Sequence, residues 1–461
     1  MAQKALPHFP LQMNAAEMQG GLSRMDMPKL PNQKKATPRK AAGVNFTEKL
    51  DSVVCSGKSK SVYEYDNDGM VVLETHHNWN STDKKWVNDS KNEYAFDEWG
   101  NQILSIYYGW NSDLNDWKGR TKTEKTYWIK DYCTYSAQYT WDSSLNDWRC
   151  DRKSETSYDE NGNVVSDADY QWDNVTNSLQ CYSKAERTYN EEGKISQSVN
   201  YNWNGATSDW DINKCNYTYS YDYDAAGKVS SEYIETSYPN DASKNKTTRI
   251  DYTYNENDEV IQRFVFTYNS LSCNWDNSEK DEFSYWNGET SRVVYYFWDK
   301  VLGKWIGLYK YDSDFNEKGL ITFYAICYWN YNKNDWRCDS KSEFAYDENG
   351  NMTSNISYFT PWNSDTMQKS SEYVYTYDYA SSGEAVAGLQ QSPNKLISHT
   401  IIGSDETYTY HYSPFSPNAL QGITESAKGS NGSIYTLDGQ KVNRLIPNHI
   451  YIKNGKKFLV K

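Results

Sequence analysis

The 461-residue chain has no apolar run long enough to cross a membrane as a helix, so the sequence predicts a soluble body rather than an integral membrane protein. It also lacks a basic excess, because 62 acidic side chains outnumber 48 basic ones and give a formal net charge of −14. Nucleic acid and anionic membrane surfaces both require a basic footprint. The charge balance therefore excludes nucleic acid as a partner.

The usual catalytic signatures are missing as well, including the Gly-x-Ser-x-Gly elbow, the phosphate-binding loop and His-Glu-x-x-His. The six histidines are scattered, and the neighbours His76 and His77 would point to opposite faces of a strand, so no metal site is predicted there. We predict that the protein is not an enzyme. The alternative, a glycan hydrolase or lyase, would require one repeat whose carboxylates, unlike those elsewhere, face the aromatic side.

Aromatic residues are what the chain has in abundance, with 42 Tyr and 18 Trp beside only 37% hydrophobic residues. Tryptophan recurs every 31 residues at positions 79, 110, 141, 172 and 203. Tyrosine takes the place of tryptophan at Tyr238 and Tyr268, and tryptophan recurs at positions 298, 329 and 362. A fixed period of this length indicates a repeat architecture. Such arrays form long surfaces that bind or span more often than they catalyse.

One repeat, from Trp148 to Trp172, shows the strand pattern. Period-2 alternation in WRCDRKSETSYD predicts a strand with Trp148, Cys150, Ser154, Thr156 and Tyr158 on one face and Arg149, Asp151, Lys153, Glu155 and Asp159 on the other. The turn ENGN supplies Gly162 where a short hairpin loop needs a positive φ. The repeat is therefore predicted to be a β-hairpin.

About ten such hairpins give roughly twenty strands, and a sheet of that width cannot stay flat because each strand is rotated from its neighbour. We predict an all-β antiparallel β-hairpin repeat array that forms a coiled, twisted, solenoid-like sheet. A five-bladed β-propeller is the alternative. The predicted domains are a disordered leader over 1–50, the array over 51–412, a linker over 413–420 and a small β module over 421–461.

The motif Trp-x6-Trp supplies candidate contact residues. It occurs six times, as Trp79 and Trp86, Trp110 and Trp117, Trp141 and Trp148, Trp203 and Trp210, Trp298 and Trp305, and Trp329 and Trp336. Each pair could clamp the base of its loop as cross-strand neighbours. A ladder of indoles flanked by Asn and Asp could equally stack on sugar rings. Both interpretations stay open, and we take all twelve residues as candidates for glycan contact.

Counting outward from a tryptophan pair predicts the residues that face each other across the hairpin. The count places Tyr139 opposite Cys150 and Cys327 opposite Cys338, and we predict a disulfide between the two cysteines. The turns also contain weak calcium candidates, because they are rich in oxygen ligands. These candidates are Asp159, Asn161, Asp347 and Asn349, and no other cofactor is predicted.

The turn strings YDENGNVV at 158–165 and YDENGNMT at 346–353 resemble the YD or RHS repeat, a β-hairpin built around Tyr-Asp-x-x-Gly-Asn. The resemblance is loose, and the period here is longer than the usual YD spacing. It implies a spiralling β shell on a secreted or cell-surface bacterial protein.

A second resemblance lies at the C-terminus. The strings IYTLDGQKV at 434–442 and HIYIKNGKKFLVK at 449–461 are similar to the type IX secretion sorting domain, with His449 in place of the usual glycine. This implies the type IX export machinery as a partner. The start, Met1-Ala2-Gln3, is typical of the stretch that follows a removed signal peptide, so we expect an extracellular or cell-surface location.

Taken together, these features favour a binding or adhesion module that meets a polysaccharide or a surface protein along the tryptophan-lined loops. The alternative is a structural spacer or coat protein without a discrete ligand. Mutation of exposed tryptophan pairs would lower the affinity of a binding module, whereas it would lower only the stability of a spacer.

Overall fold

The computed structural model describes residues 46–204, 209–211, 216–362, 364–389, 392–404 and 406–415, together with four short strands between residues 434 and 459. The predicted leader falls outside these residues except for its last five positions, and most of the predicted linker falls outside them too. A single three-residue 3-10 turn, Ala242–Lys244, interrupts the strands and turns of the described array.

The strands of the first half of the array are β1 (Glu48–Cys55), β2 (Ser59–Tyr65), β3 (Val71–Asn80), β4 (Lys85–Phe96), β5 (Gln102–Asn111), β6 (Asp116–Tyr127), β7 (Cys133–Asp142), β8 (Asp147–Tyr158), β9 (Val164–Asp173), β10 (Ser178–Tyr189), β11 (Ile195–Asn204), β12 (Asp209–Asp211) and β13 (Asn216–Tyr223). Those of the second half are β14 (Val229–Ser237), β15 (Lys246–Tyr254), β16 (Val260–Asn269), β17 (Asn274–Trp286), β18 (Glu289–Asp299), β19 (Lys304–Phe315), β20 (Ile321–Asn330), β21 (Asp335–Tyr346), β22 (Met352–Phe359), β23 (Gln368–Ser382), β24 (Val386–Ala387), β25 (Asn394–Ile401) and β26 (Glu406–Pro414). They are followed by β27 (Ile434–Tyr435), β28 (Lys441–Val442), β29 (Ile450–Lys453) and β30 (Lys456–Leu459).

Antiparallel pairing runs from hairpin to hairpin and then returns to its start. Strand β1 pairs with β2 on one side and with β26 on the other, so the sheet closes into a barrel. The sheet contains 26 strands, but β12 extends the pairing of β11 beside β13, and β24 lies parallel to the start of β1. The remaining 24 strands, or twelve hairpins, form the closed antiparallel ring.

The predictions of an open solenoid and of a five-bladed propeller are both wrong. A solenoid would leave two free edge strands, whereas β1 and β26 are hydrogen-bonded to each other through pairs such as Val53 and Tyr410. A propeller would divide the strands among separate sheets, whereas the array is one sheet. The physical reason for closure is that the accumulated strand twist brings the first and last hairpins together, which removes both exposed edges.

The hairpins alternate between two kinds of connection, which define two rims of the ring. Tight turns with a positive-φ glycine form the turn rim, as at Gly162, where φ is 83° and the carbonyl of Asp159 accepts the glycine N–H at 3.0 Å. The loops that connect the paired tryptophan positions form the loop rim. Every described loop of the Trp-x6-Trp type therefore lies on the same rim.

A β-bulge in most of the loop hairpins decides which side chains share a face. Between Cys150 and Arg152 the register shifts, and Asp151 is the extra residue. Two residues oppose one at a bulge, so the alternation inverts beyond it. The sequence-based assignment is therefore wrong beyond Asp151: Lys153 faces Ala137 on the side of Trp148, and Ser154 moves to the other side.

The register between the loop and the bulge agrees with the sequence prediction. Cys327 lies opposite Cys338, and a disulfide joins them. Tyr139 likewise lies opposite Cys150. The count from the tryptophan pair holds here because no extra residue intervenes.

The core of the ring is spread over one sheet rather than packed between two layers. Most strand positions are partly exposed on both faces. Fully buried small residues lie at strand centres on the face that carries the tryptophans, such as Ala137 at 0% and Ala325 at 3% exposure. We call this side the tryptophan face and the other side the opposite face. Stability must therefore come largely from cross-strand neighbours.

The C-terminal segment contributes a separate antiparallel sheet with the strand order β28-β27-β29-β30. Its strands coincide with the two strings that resemble the sorting domain. The predicted domain boundaries stay predictions.

Candidate functional site

The tryptophan pairs lie at the loop rim, directly opposite each other as the sequence predicts. Their ring centroids are 5.0 Å apart in Trp79–Trp86 and Trp110–Trp117, 5.3 Å in Trp141–Trp148, and 5.1 Å in Trp298–Trp305 and Trp329–Trp336. The planes meet edge to face at 67–88°. Trp203 and Trp210 also pair through their backbones, but the Trp210 side chain is outside the described part of the structure.

The indoles pack against the neighbouring hairpin as well as against each other. At Gly119 an added Cβ would lie 2.8 Å from Cη2 of Trp148, and at Gly307 it would lie 2.8 Å from Cη2 of Trp336. The described indoles of the six pairs are partly buried. This geometry favours the clamp interpretation, and glycan contact through these residues stays a prediction.

Replacing Gly119 with Ala is expected to lower the free energy of unfolding by about 1–3 kcal/mol, because the new methyl overlaps a packed indole. Gly109→Ala is the matched control, because its Cβ would meet Nε of Arg120 at 2.9 Å, and that flexible side chain can move away. Urea denaturation of both variants measures the difference. Equal destabilisation would contradict the packing role of Gly119.

The loop tips between the tryptophans expose apolar side chains. The exposed fractions are 72% for Leu114, 65% for Leu145, 94% for Val175, 97% for Leu271, 94% for Val301 and 61% for Leu302. The sequence contains this signal as a Leu four residues after Trp110 and Trp141, but the sequence-based choice of contact residues considered only the tryptophans. These residues are the functional candidates that it missed.

Each tip is held in shape by its own loop. Oδ1 of Asn111 accepts the backbone N–H groups of Asp113 and Leu114 at 3.0 and 3.1 Å. The residue after the tip, Asn115, adopts a left-handed conformation with φ of 51°, which Asn tolerates better than most residues. The next loop repeats the arrangement at Asp142, whose hydrogen bonds from Ser144 lower its pKa. The apolar tip is thus presented by a preorganised loop.

The tryptophan face carries a repeated Lys–Glu–Tyr triad. In the most buried triad, Nζ of Lys122 lies 2.9 Å from Glu124 and 4.1 Å from the ring centre of Tyr139, whose hydroxyl donates to Glu124 at 3.0 Å. The same contacts occur in Lys91–Glu93–Tyr108, Lys153–Glu155–Tyr170, Lys184–Glu186–Tyr201, Lys280–Glu282–Tyr296 and Lys341–Glu343–Tyr358.

These triads concern the requirement stated for an enzyme, namely one repeat whose carboxylates, unlike those of the other repeats, face the aromatic side. Carboxylates face the aromatic side in repeat after repeat, so no single repeat is distinguished by them. Each Glu is also held by a cation and a tyrosine. The hydrogen bond from Lys184 lowers the pKa of Glu186, and the one from Lys341 lowers the pKa of Glu343. In these two triads the lysine stabilises the charged form of the carboxyl group.

The calcium candidates lie at the turn rim, where their own turns use their oxygens. Oδ1 of Asp159 accepts the N–H of Asn161 at 2.9 Å, and Oδ2 accepts Nδ2 of Asn163 at 2.9 Å. Asp347 and Asn349 make the same turn. Among the residues that the structure describes, no three His, Cys, Asp or Glu side chains gather as a metal site would require. Calcium binding stays a prediction.

Comparison with known proteins gives weak structural likenesses. A protein with unknown function from Bacteroides fragilis is 14% identical over 28% of this chain and 93% of its own, with a TM-score of 0.22. A porin-like protein from Bacteroides uniformis is 8% identical over 80% and 97%, with a TM-score of 0.22. The Photorhabdus luminescens Tc holotoxin pore is 10% identical over 86% and 27%, with a TM-score of 0.13. Scores this low identify neither a shared fold nor a function.

Models of known protein families do not match this sequence, and no curated protein matches it either. Within the described ranges, no helix has the length and apolar character that a membrane span needs.

Proposed function

We propose that the chain is an exported binding module that adheres to a surface protein through its loop rim. The observation that carries this proposal is the recurrence of an exposed apolar residue at loop tips of the same rim, above all Leu114, Leu145, Leu271 and Leu302. Single exposed apolar residues are ordinary, but a series along one rim forms a shared surface. In repeat proteins, variable loops on one side are commonly the binding side.

The loop conformations support the proposal. Because Asn111 and Asp142 already fix their tips by hydrogen bonds to backbone N–H groups, little ordering remains to be done on binding. Apolar tips set among Asn and Asp side chains resemble the mixed composition of protein interfaces. Several weak tips on one rigid ring would also act together, which raises avidity.

A protein is favoured over a glycan at this rim because the indoles that would stack on sugars are engaged in packing. The Cys327–Cys338 disulfide supports an exported location, since such bonds persist in oxidising compartments. The tail from residue 434 would serve as the type IX sorting signal.

The test is surface plasmon resonance of the purified full chain over immobilised fibronectin, collagen, fibrinogen and mucin. We expect one or more of these to bind, and Leu114→Ser/Leu145→Ser/Leu271→Ser/Leu302→Ser to weaken that binding about tenfold or more. The matched control is Tyr107→Ser/Ile397→Ser, which alters exposed apolar residues within strands, at 40% and 38% exposure. Absence of binding, or equal binding by both variants, would overturn the proposal and favour the structural spacer.

A further inference from the structure

A polar groove of about 420 Å³ lies across β7, β8 and β9. On the opposite face, six side chains from these three strands line it in two neighbouring rows. One row consists of Gln138, Arg152 and Gln171, and the other of Ser136, Ser154 and Asp169. We call these six residues the polar groove.

Arg152 brings a positive charge to the groove that no carboxylate of the described residues neutralises. Six other arginines each pair with an aspartate, namely Arg149, Arg187, Arg249, Arg263, Arg292 and Arg337. Asp169 lines the same groove, but its carboxylate accepts from Oγ of Ser183 at 3.4 Å rather than from Arg152. The guanidinium donors of Arg152 are therefore open to a ligand.

A second cation without a partner borders the groove. Lys125 of β6 lies opposite Ser136, so only β7 separates it from Arg152 on β8. Among the residues that the structure describes, the ammonium group of Lys125 makes no ion pair or hydrogen bond. Because neighbouring strands are about 4.8 Å apart, both long side chains can reach a group held over Ser136 and Gln138. The groove is thus locally basic, although the whole chain has a formal net charge of −14.

The uncharged side chains of the groove are also uncommitted. Within the described ranges, the side chains of Ser136, Gln138, Ser154 and Gln171 make no hydrogen bond, and none holds a buried polar atom. Gln138 and Gln171 are exposed, and each amide offers both donors and an acceptor. Hydroxyl and amide groups therefore surround the cation, which is the combination that suits an anion rich in hydroxyl groups.

The repeat itself does not require cations at these positions. Thr121 holds the position of Arg152 in the preceding repeat, where it lies opposite Tyr107 as Arg152 lies opposite Gln138. Thr156 holds the position of Lys125 in the following repeat. The hairpins form with threonine in both places, so the basic groove is a local feature of one part of the ring.

We propose that the polar groove binds a carboxylated sugar residue of an acidic glycan. The sugar carboxylate lies between Arg152 and Lys125, because the planar guanidinium fork matches the two oxygens of a carboxylate. The sugar hydroxyls meet Ser154, Gln171 and Asp169, and the carboxylate of Asp169 can accept from a hydroxyl but repels a second anion. The groove volume lies within the range of small-ligand sites. This site is separate from the loop rim and goes beyond the adhesive function proposed above.

The test is biolayer interferometry of the full chain over immobilised oligosaccharides. The acidic probes are trigalacturonate and 3′-sialyllactose, and their neutral counterparts are the methyl ester of trigalacturonate and lactose. Galactose 3-sulfate presents a sugar with a different anion, and pentaglutamate presents carboxylates without a sugar.

Two double variants, each of which removes two positive charges, are compared with the unmodified chain. Lys125→Thr/Arg152→Thr introduces the residue type that the equivalent positions 156 and 121 already carry, so it should fold. The control Lys246→Thr/Lys304→Thr makes the same change at two exposed lysines outside the groove. Circular dichroism should show both variants folded.

We expect at least one acidic probe to bind about tenfold or more tightly than its neutral counterpart, and high salt to weaken that binding. Lys125→Thr/Arg152→Thr should lose about tenfold or more in affinity, whereas the control variant should not. The loop-tip variant should bind the acidic probe normally, which separates this proposal from the previous one. The proposal is overturned by silence of both acidic probes, by equal binding of the neutral counterparts, by equal or tighter binding of galactose 3-sulfate or pentaglutamate, or by equal affinities of the two double variants.

Discussion

Raising the pH above about 10 is expected to unfold the ring in one cooperative transition that coincides with the ionisation of its tyrosines. Burial raises the pKa of Tyr170 and Tyr295 to about 12, from an ordinary value of 10.0. Burial shifts the pKa of Tyr158 and Tyr285 upward as well. Because the folded-state values are the higher ones, these hydroxyls contribute their full stability below pH 10 and lose it progressively towards pH 12.

The measurement is a titration in which tyrosinate absorbance and far-ultraviolet circular dichroism are followed together. The two signals should change in the same narrow pH interval and recover on return to neutral pH. Repeating the titration at high salt is the control, because salt screens general charge repulsion but leaves the hydroxyl linkage in place. A broad ionisation near pH 10 with unchanged circular dichroism would show that the hydroxyls are not linked to folding.

Replacing Glu124 with Gln is expected to destabilise the protein by about 3–5 kcal/mol, because it leaves the ammonium group of Lys122 buried without its partner. The Lys122 side chain is 8% exposed and that of Glu124 is 18% exposed. The matched control is Glu186→Gln in an equivalent triad, where the exposures are 27% for Lys184 and 45% for Glu186. Solvent screens that pair, so its loss should cost about 1 kcal/mol or less.

Denaturant unfolding of both variants measures the difference between their losses of stability. The slope of the transition should be the same in both variants. The double variant Lys122→Met/Glu124→Gln removes the buried charge altogether and should recover part of the stability. If Glu124→Gln and Glu186→Gln proved equally mild, burial of the triad would not matter to its energy. If the double variant were less stable than Glu124→Gln alone, the contact of Lys122 with the Tyr139 ring would contribute more to stability than removal of the buried charge recovers.

The sequence predicts this protein well wherever a local pattern determines the structure. Hairpins, the facing of Tyr139 and Cys150, and the Cys327–Cys338 disulfide all follow from counting outward from a tryptophan pair. The count fails at Asp151 because an extra residue at a bulge leaves the alternating pattern of residue types almost unchanged. The face of Lys153 therefore could not be read from period-2 alternation alone.

The closure of the sheet, and the sites formed by residues from different strands, could not be predicted from the sequence for a different reason. The pairing of β1 with β26 joins opposite ends of the array, and no periodic pattern records it. The row of Tyr295, Tyr309 and Tyr328 lies on three neighbouring strands, and its register becomes visible only when the bulge of β19 is placed. The loop-tip leucines were visible as residues, but their exposure required the loop conformation.

The pairing of β1 with β26 also limits how the number of hairpin repeats can change during evolution. An open array can gain or lose a 31-residue unit by duplication or deletion and still leave every remaining neighbour paired. In a closed ring, each such event changes the circumference of the sheet. The first and last strands must then pair again at a different circumference for the sheet to close. The number of hairpins should therefore be inherited as a fixed quantity, while the individual loops vary freely.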